Sequence, residues 1–155
     1  MRPVTQRITA CPRRGDGADR HGVPGDCLRA AVASLLDRPY ESVPHFAMHG
    51  RRWWDAMRRW ARADDSDWAV VPVVAGSIRY ALADPSDVGG LVLLRGPSPR
   101  RVPHVVVADA RDLRTVWDPH PSRAGLTDAH EAYAFVAPYW PPPEQLAITA
   151  AEGPP

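Results

Sequence analysis

The sequence has no lysine, and all 19 of its basic residues are arginine. That bias reads as GC-rich coding, because 18 acidic residues bring the net charge to +1. No strong field therefore favours nucleic acid or an anionic membrane as a partner. Long apolar runs are missing too, and none approaches the ~18 residues that a membrane span needs. The first residues, Met1 to Arg7, lack the apolar core of a signal peptide. Cysteine is scarce. Cys11 and Cys27 make no disulfide framework, and without a secretion signal both are expected to be reduced in a cytoplasm. No short paired spacing of a structural zinc site is present, and Asp16 and Asp19 lack the remaining ligands of a calcium loop. Neither a metal nor a cofactor is expected.

What is present suits one globular domain. The chain has 155 residues, 45% hydrophobic and 24% charged, enough to bury a core without covalent staples. Proline is abundant at 18 residues and implies many fixed loops. Residues 1–140 are expected to form the domain, and 141–155 a Pro/Ala-rich tail that frays.

The stretch from Pro24 to Leu36 organises the rest. Pro24 and Gly25 break the preceding chain, and Asp26 suits an N-cap whose carboxylate accepts an orphan backbone N–H. Ala30, Ala31, Val32, Ala33, Leu35 and Leu36 make the following helix apolar almost all round, so it should be buried, ending near Asp37 before Pro39. Cys27 then sits in the first turn, at the positive end of the helix dipole.

Around it the pattern alternates turns and short strands. Val4 to Thr9 alternates weakly and reads as a strand, and Cys11 to Pro24 as a loop. Val43-Pro44 is extended. From His49 a second helix is predicted, with Trp53, Trp54, Met57, Trp60 and Ala61 on one stripe and arginines mostly off it. Trp68 to Val74 is a strand that Pro72 assigns to an edge or a bulge. Ser77 to Ala83 suits a helical turn. Leu91–Leu94, His104–Ala108, Leu113–Asp118 and Tyr133–Trp140 complete a mostly antiparallel sheet, with a hairpin turning at Asp109–Asp112. The layout is α+β.

A nucleophilic cysteine needs a base and a third group to orient it. The helix dipole is worth ~0.3–1 kcal/mol at ordinary sites, against ~1.4 kcal/mol for one pKa unit. An imidazolium must supply most of the activation. His104 starts a strand at the sheet's end, and Asp118 closes the partner strand. A register that sets His104 opposite Asp118 puts both on one face, whereas a slip of one residue turns the carboxylate away. Each residue alone has an ordinary role: a small hydrophobe, a packed histidine, a turn carboxylate.

Gly25-Asp26-Cys27 opening an Ala-rich helix, His104-Val105-Val106-Val107 and Trp117-Asp118-Pro119 together resemble the papain-like cysteine peptidase superfamily. Within it they are similar to the peptidase domains of bacteriocin exporters. Cys27 to Phe46, Gly96-Pro97-Ser98-Pro99-Arg100 and Asp118-Pro119-His120-Pro121-Ser122 look closer still to small proteins of phages and prophages without a settled substrate. The resemblance implies a papain-like fold, with the Cys-bearing helix packed on the sheet. It makes Cys27 the nucleophile, His104 the general base and Asp118 the orienting carboxylate. The exporter peptidases carry an oxyanion-hole glutamine shortly before the cysteine, where this chain has His21-Gly22-Val23. Gln6 becomes the candidate if the 11–24 loop is an insertion, alongside the Cys27 backbone N–H.

Trp117 and His120, on either side of Asp118, are candidate substrate contacts, although His120 also suits bracing its two prolines. The expected activity is hydrolysis or acyl transfer at an amide, isopeptide or thioester bond of a peptide or protein. Two other readings compete: an idle papain-like module that binds a host protein, and a metal site on Cys27, His104, Asp118 and His120. Oligomeric state is open.

Overall fold

A computed structural model of the chain describes residues 1–9, 23–63, 69–73 and 90–136. The expected loop over 11–22, the helical turn at 77–83, residues 137–140 of the last strand and the 141–155 tail lie outside these. So does Cys11.

Helix α1 spans Cys27–Leu35, and α2 spans Trp53–Ala63. The strands are β1 (Ala69–Val73), β2 (Leu91–Pro97), β3 (Pro103–Asp109), β4 (Thr115–Trp117) and β5 (Glu131–Val136). They form one sheet in the order β1-β5-β2-β3-β4, with every neighbouring pair antiparallel. Pro72 lies on edge strand β1, where its missing N–H costs the ladder least.

Strand alternation splits the sheet into two apolar faces. Leu93, Val105, Val107 and Phe135 join Val32 of α1 and Met57 of α2 in the main core. Val92, Leu94, Val106, Ala108 and Ala134 form a second cluster. The tryptophan stripe of α2 packs as its spacing predicts: Met57 and Ala61 are buried, Trp53, Trp54 and Trp60 half-buried, and Arg58, Arg59 and Arg62 exposed. The α-helix begins at Trp53, later than His49. A 3-10 segment, Phe46–Arg52, precedes it, kinked within by Gly50 at φ +54 and ψ −126.

Two expectations fail for one reason. Residues 4–9 join no ladder, and Asp26 does not cap α1 with its side chain. The Asp26 carboxylate accepts the N–H groups of Arg7 and Ile8, each at 3.0 Å, and the Tyr40 hydroxyl. Asp26 N–H in turn donates to the Ile8 carbonyl at 3.1 Å. A buried carboxylate thus serves the N-terminal segment as a neighbouring strand would. Further bonds join Gln6 N–H to the Pro119 carbonyl (2.9 Å) and Val4 N–H to Ser34 Oγ (2.9 Å).

The β3–β4 register also differs from the expected one. Val107 faces Trp117, two residues from the predicted pairing with Thr115, and a β-bulge follows between Val107 and Ala108. The shift is even, so Asp118 keeps the side-chain parity that the prediction required. Among the described residues no helix is long and apolar enough to cross a membrane.

Candidate active site

Cys27 opens α1 after the Pro24–Gly25 turn and is half-buried as a free thiol. His45 holds that turn: its Nε2 lies 3.0 Å from the Pro24 carbonyl. No side chain caps the helix, so the first-turn N–H groups, that of Cys27 among them, are not claimed by Asp26.

His104, only 2% exposed, stands near the start of β3, opposite Gly96 of β2. Its Nε2 lies 2.7 Å from Asp118 Oδ1. Asp118 is itself buried, just past the end of β4. Burial alone would raise its pKa. The hydrogen bond from His104 and those from the His120 and Gly125 N–H groups outweigh burial and hold it at about 2. Asp118 is therefore ionised at neutral pH, and Nε2 carries the proton it receives. That leaves Nδ1 of His104 for the sulfur. Burial would lower the histidine's pKa, yet its bonds to Asp118 and to the Cys27 side chain raise it to about 9. The structure thus brings Cys27, His104 and Asp118 together.

The loop after β4 is built around this pair. Ser122 N–H donates to His120 Nδ1 at 3.0 Å, which fixes the proton of the neutral ring on Nε2. Ser122 Oγ also lies 2.8 Å from that nitrogen and accepts from Arg100 at 3.0 Å. The His120 ring stands edge-on to His104 with centroids 6.1 Å apart. Burial, then the charges of Arg100 and His104, push its pKa down. Its ring is therefore both braced, by Ser122, and turned towards the site.

Two cavities adjoin the Cys27–His104 pair. A groove of about 300 Å³ runs over both residues, bordered by Leu28, Gly50, Trp53 and Arg95. A small cavity of about 20 Å³ is lined by Cys27, His104, Gln6, His120 and Arg100. Gln6 thus reaches the site without being on a strand. It is buried, donates through Nε2 to the Ile8 carbonyl at 2.9 Å, and its Oε1 has no partner among the described residues.

Trp117 lines neither cavity. Its indole N–H donates to the Val4 carbonyl at 3.1 Å and Arg123 stacks on its ring at 3.6 Å, so it fastens the N-terminal segment rather than facing the groove. Among the described residues no group of three or more His, Cys, Asp or Glu side chains could hold a metal ion. Sequence reasoning gave no role to Arg95, Arg100 or His45, although Arg100 ends the Gly96–Arg100 motif; their partners are remote in sequence.

No family model matches the chain, and neither the curated proteins nor the solved structures gave a match. The reading of function therefore rests on the site.

Proposed function

We propose that the chain is a cysteine-dependent hydrolase or acyl-transferase of the papain-like type, acting on an amide, isopeptide or thioester bond of a peptide or protein. The observation that carries this reading is the convergence of a half-buried thiol, a buried histidine and an ionised aspartate at the wall of an open groove. A buried Cys or His kept only for packing would need neither the aspartate nor the groove.

In the proposed cycle the thiol proton already resides on His104 Nδ1, and Asp118 stabilises the resulting imidazolium through Nε2. The Cys27 sulfur attacks the substrate carbonyl, whose oxygen becomes an oxyanion. The Cys27 backbone N–H and the Gln6 amide are the donors nearest to hand. As the tetrahedral intermediate collapses, His104 returns its proton to the leaving amine or thiolate, and a thioester to Cys27 remains. Water or a second amine, deprotonated by His104, then releases the acyl group. Hydrolysis and transfer differ only in that last nucleophile.

The test is the rate at which iodoacetamide alkylates Cys27 at neutral pH, followed by mass spectrometry of its peptide. A free thiol is only a few per cent ionised there, so a paired thiolate is expected to react roughly tenfold faster or more. His104→Ala is expected to remove the excess. Peptide and ubiquitin-like amide substrates are then screened with Cys27→Ala as the blank. A Cys27 no faster than a model thiol overturns the proposal and favours a binding module on the same fold.

A further inference from the structure

The charged side chains that line the cavities around Cys27 have one sign. Beside the groove lies a third cavity of about 600 Å³, which shares Arg95 and Pro103 with it and extends past the β2–β3 turn to Thr127 and His130. Each of the three cavities contains an arginine: Arg95 in the two larger ones, Arg101 in the third and Arg100 in the small one. No aspartate or glutamate among the described residues lines any of them. The whole chain carries only +1, so this is a local arrangement rather than a general excess.

The arginines also differ in how far the protein satisfies them. Arg95 pairs with Glu131 at 2.8 Å and lies over the Trp53 ring. Arg100 donates to a neutral hydroxyl, Ser122 Oγ, at 3.0 Å. Arg101 is exposed, and its guanidinium has no ion pair or hydrogen bond among the described residues. The turn that carries it is nevertheless well ordered by its own bonds. Ser98 N–H and Oγ both donate to the Val102 carbonyl, and Arg101 N–H donates to the Ser98 carbonyl at 2.8 Å.

We propose that the substrate is an acidic polypeptide, whose carboxylates near the attacked carbonyl seat against Arg100 and Arg101. This rests on the cysteine mechanism proposed above and adds the substrate class to it. A guanidinium fork matches a carboxylate with two parallel hydrogen bonds, and a cleft lined by one sign of charge concentrates ligands of the other. Phosphates of a nucleic acid share the sign, but Cys27 needs an acyl carbon, which a polypeptide supplies along its whole length.

Iodoacetate and iodoacetamide test this, because both alkylate a thiolate by displacing iodide and differ in charge. The iodoacetate-to-iodoacetamide rate ratio at Cys27 is expected to exceed that of free cysteine at low salt. Arg100→Gln and Arg101→Gln should each lower it about two- to threefold, and added salt should level the difference. Arg58→Gln, on the exposed face of α2, is the control and leaves the ratio unchanged. The iodoacetamide rate itself reports whether each variant is folded. A glutamate-rich peptide is expected to slow alkylation by iodoacetamide, and a lysine-rich one to leave it as it is. A ratio that neither arginine substitution moves overturns the acidic-substrate proposal, as does protection by oligothymidylate equal to that by the glutamate-rich peptide. Slow alkylation of the wild type by both reagents instead overturns the cysteine mechanism.

Discussion

Asp26 immediately precedes the candidate nucleophile and does none of the chemistry. Its carboxylate is fully buried and takes three donors: two N–H groups of the N-terminal segment and the Tyr40 hydroxyl. Burial and the bond to Asp26 push the Tyr40 pKa up to about 12, and Arg7 and Arg29 flank its ring at 4.1 and 4.0 Å. Removing the carboxylate strands two part-buried donors and one buried one, and an unsatisfied buried group costs about 1–3 kcal/mol. Asp26→Ala is therefore expected to lose about 3 kcal/mol or more in urea denaturation, and Tyr40→Phe about 1 kcal/mol. If Asp26 were only an exposed helix cap, its loss would cost about 1 kcal/mol. The sequence showed the residue and hid its role. An Asp before an apolar helix is the local signature of a cap, while the groups that claim this one lie 18 and 19 residues earlier and 14 residues later.

Strands and helices were easier to read than their pairing. The β-branched run in β3 and the tryptophan stripe of α2 are periodic, so packing alone fixes which side is buried. Register depends on the bulge after Val107, which no periodicity records, and β4 is only three residues long. The His104–Asp118 contact is kept because the observed register differs from the expected one by two residues at Val107, an even number. Segment 4–9 departs from the expected strand for the opposite reason. It is extended and fully used, but its partners are side chains and loop carbonyls instead of a strand. At this scale the sharpest test is Gly96→Ala. Gly96 pairs with His104, and a Cβ there would collide with the Asp128 carbonyl and press on Ala129 Cα at 3.3 Å. The segment it would hit is tied to β2 on both sides, by Thr127 N–H to Pro97 O and His130 N–H to Arg95 O. Backbone can yield only by moving, so Gly96→Ala is expected to cost about 2–3 kcal/mol in the same denaturation assay. It should also slow Cys27 alkylation by disturbing β3 at His104.

For the molecule as a whole, the buried His104–Asp118 pair ties stability to pH in a direction that follows from its shifts. His104 has a folded pKa of about 9, above the ~6.5 of an unfolded chain, so its contribution is complete below pH ~6.5 and is lost as pH rises through 9. Asp118 has a folded pKa of about 2, below the ~3.9 of an unfolded chain, so its contribution is complete above pH ~3.9 and is lost as pH falls through 2. The two windows overlap between about pH 4 and 6.5, where the pair stabilises the fold most. Urea midpoints measured from pH 5 to 9 are expected to fall across the upper half of that range. Cys27→Ala removes one of the two partners that raise the His104 pKa, so the alkaline fall should still begin near pH ~6.5 but end at lower pH and be smaller in total. Asp118→Asn removes the other and should flatten it further, while also leaving the N–H groups of His120 and Gly125 without their ionised acceptor. Imidazole chemical shifts followed by NMR over the same range would assign the slope to His104. A wild-type slope that Cys27→Ala leaves untouched would show that the sulfur and the ring do not share a proton, and the acyl-transfer mechanism would lose its base.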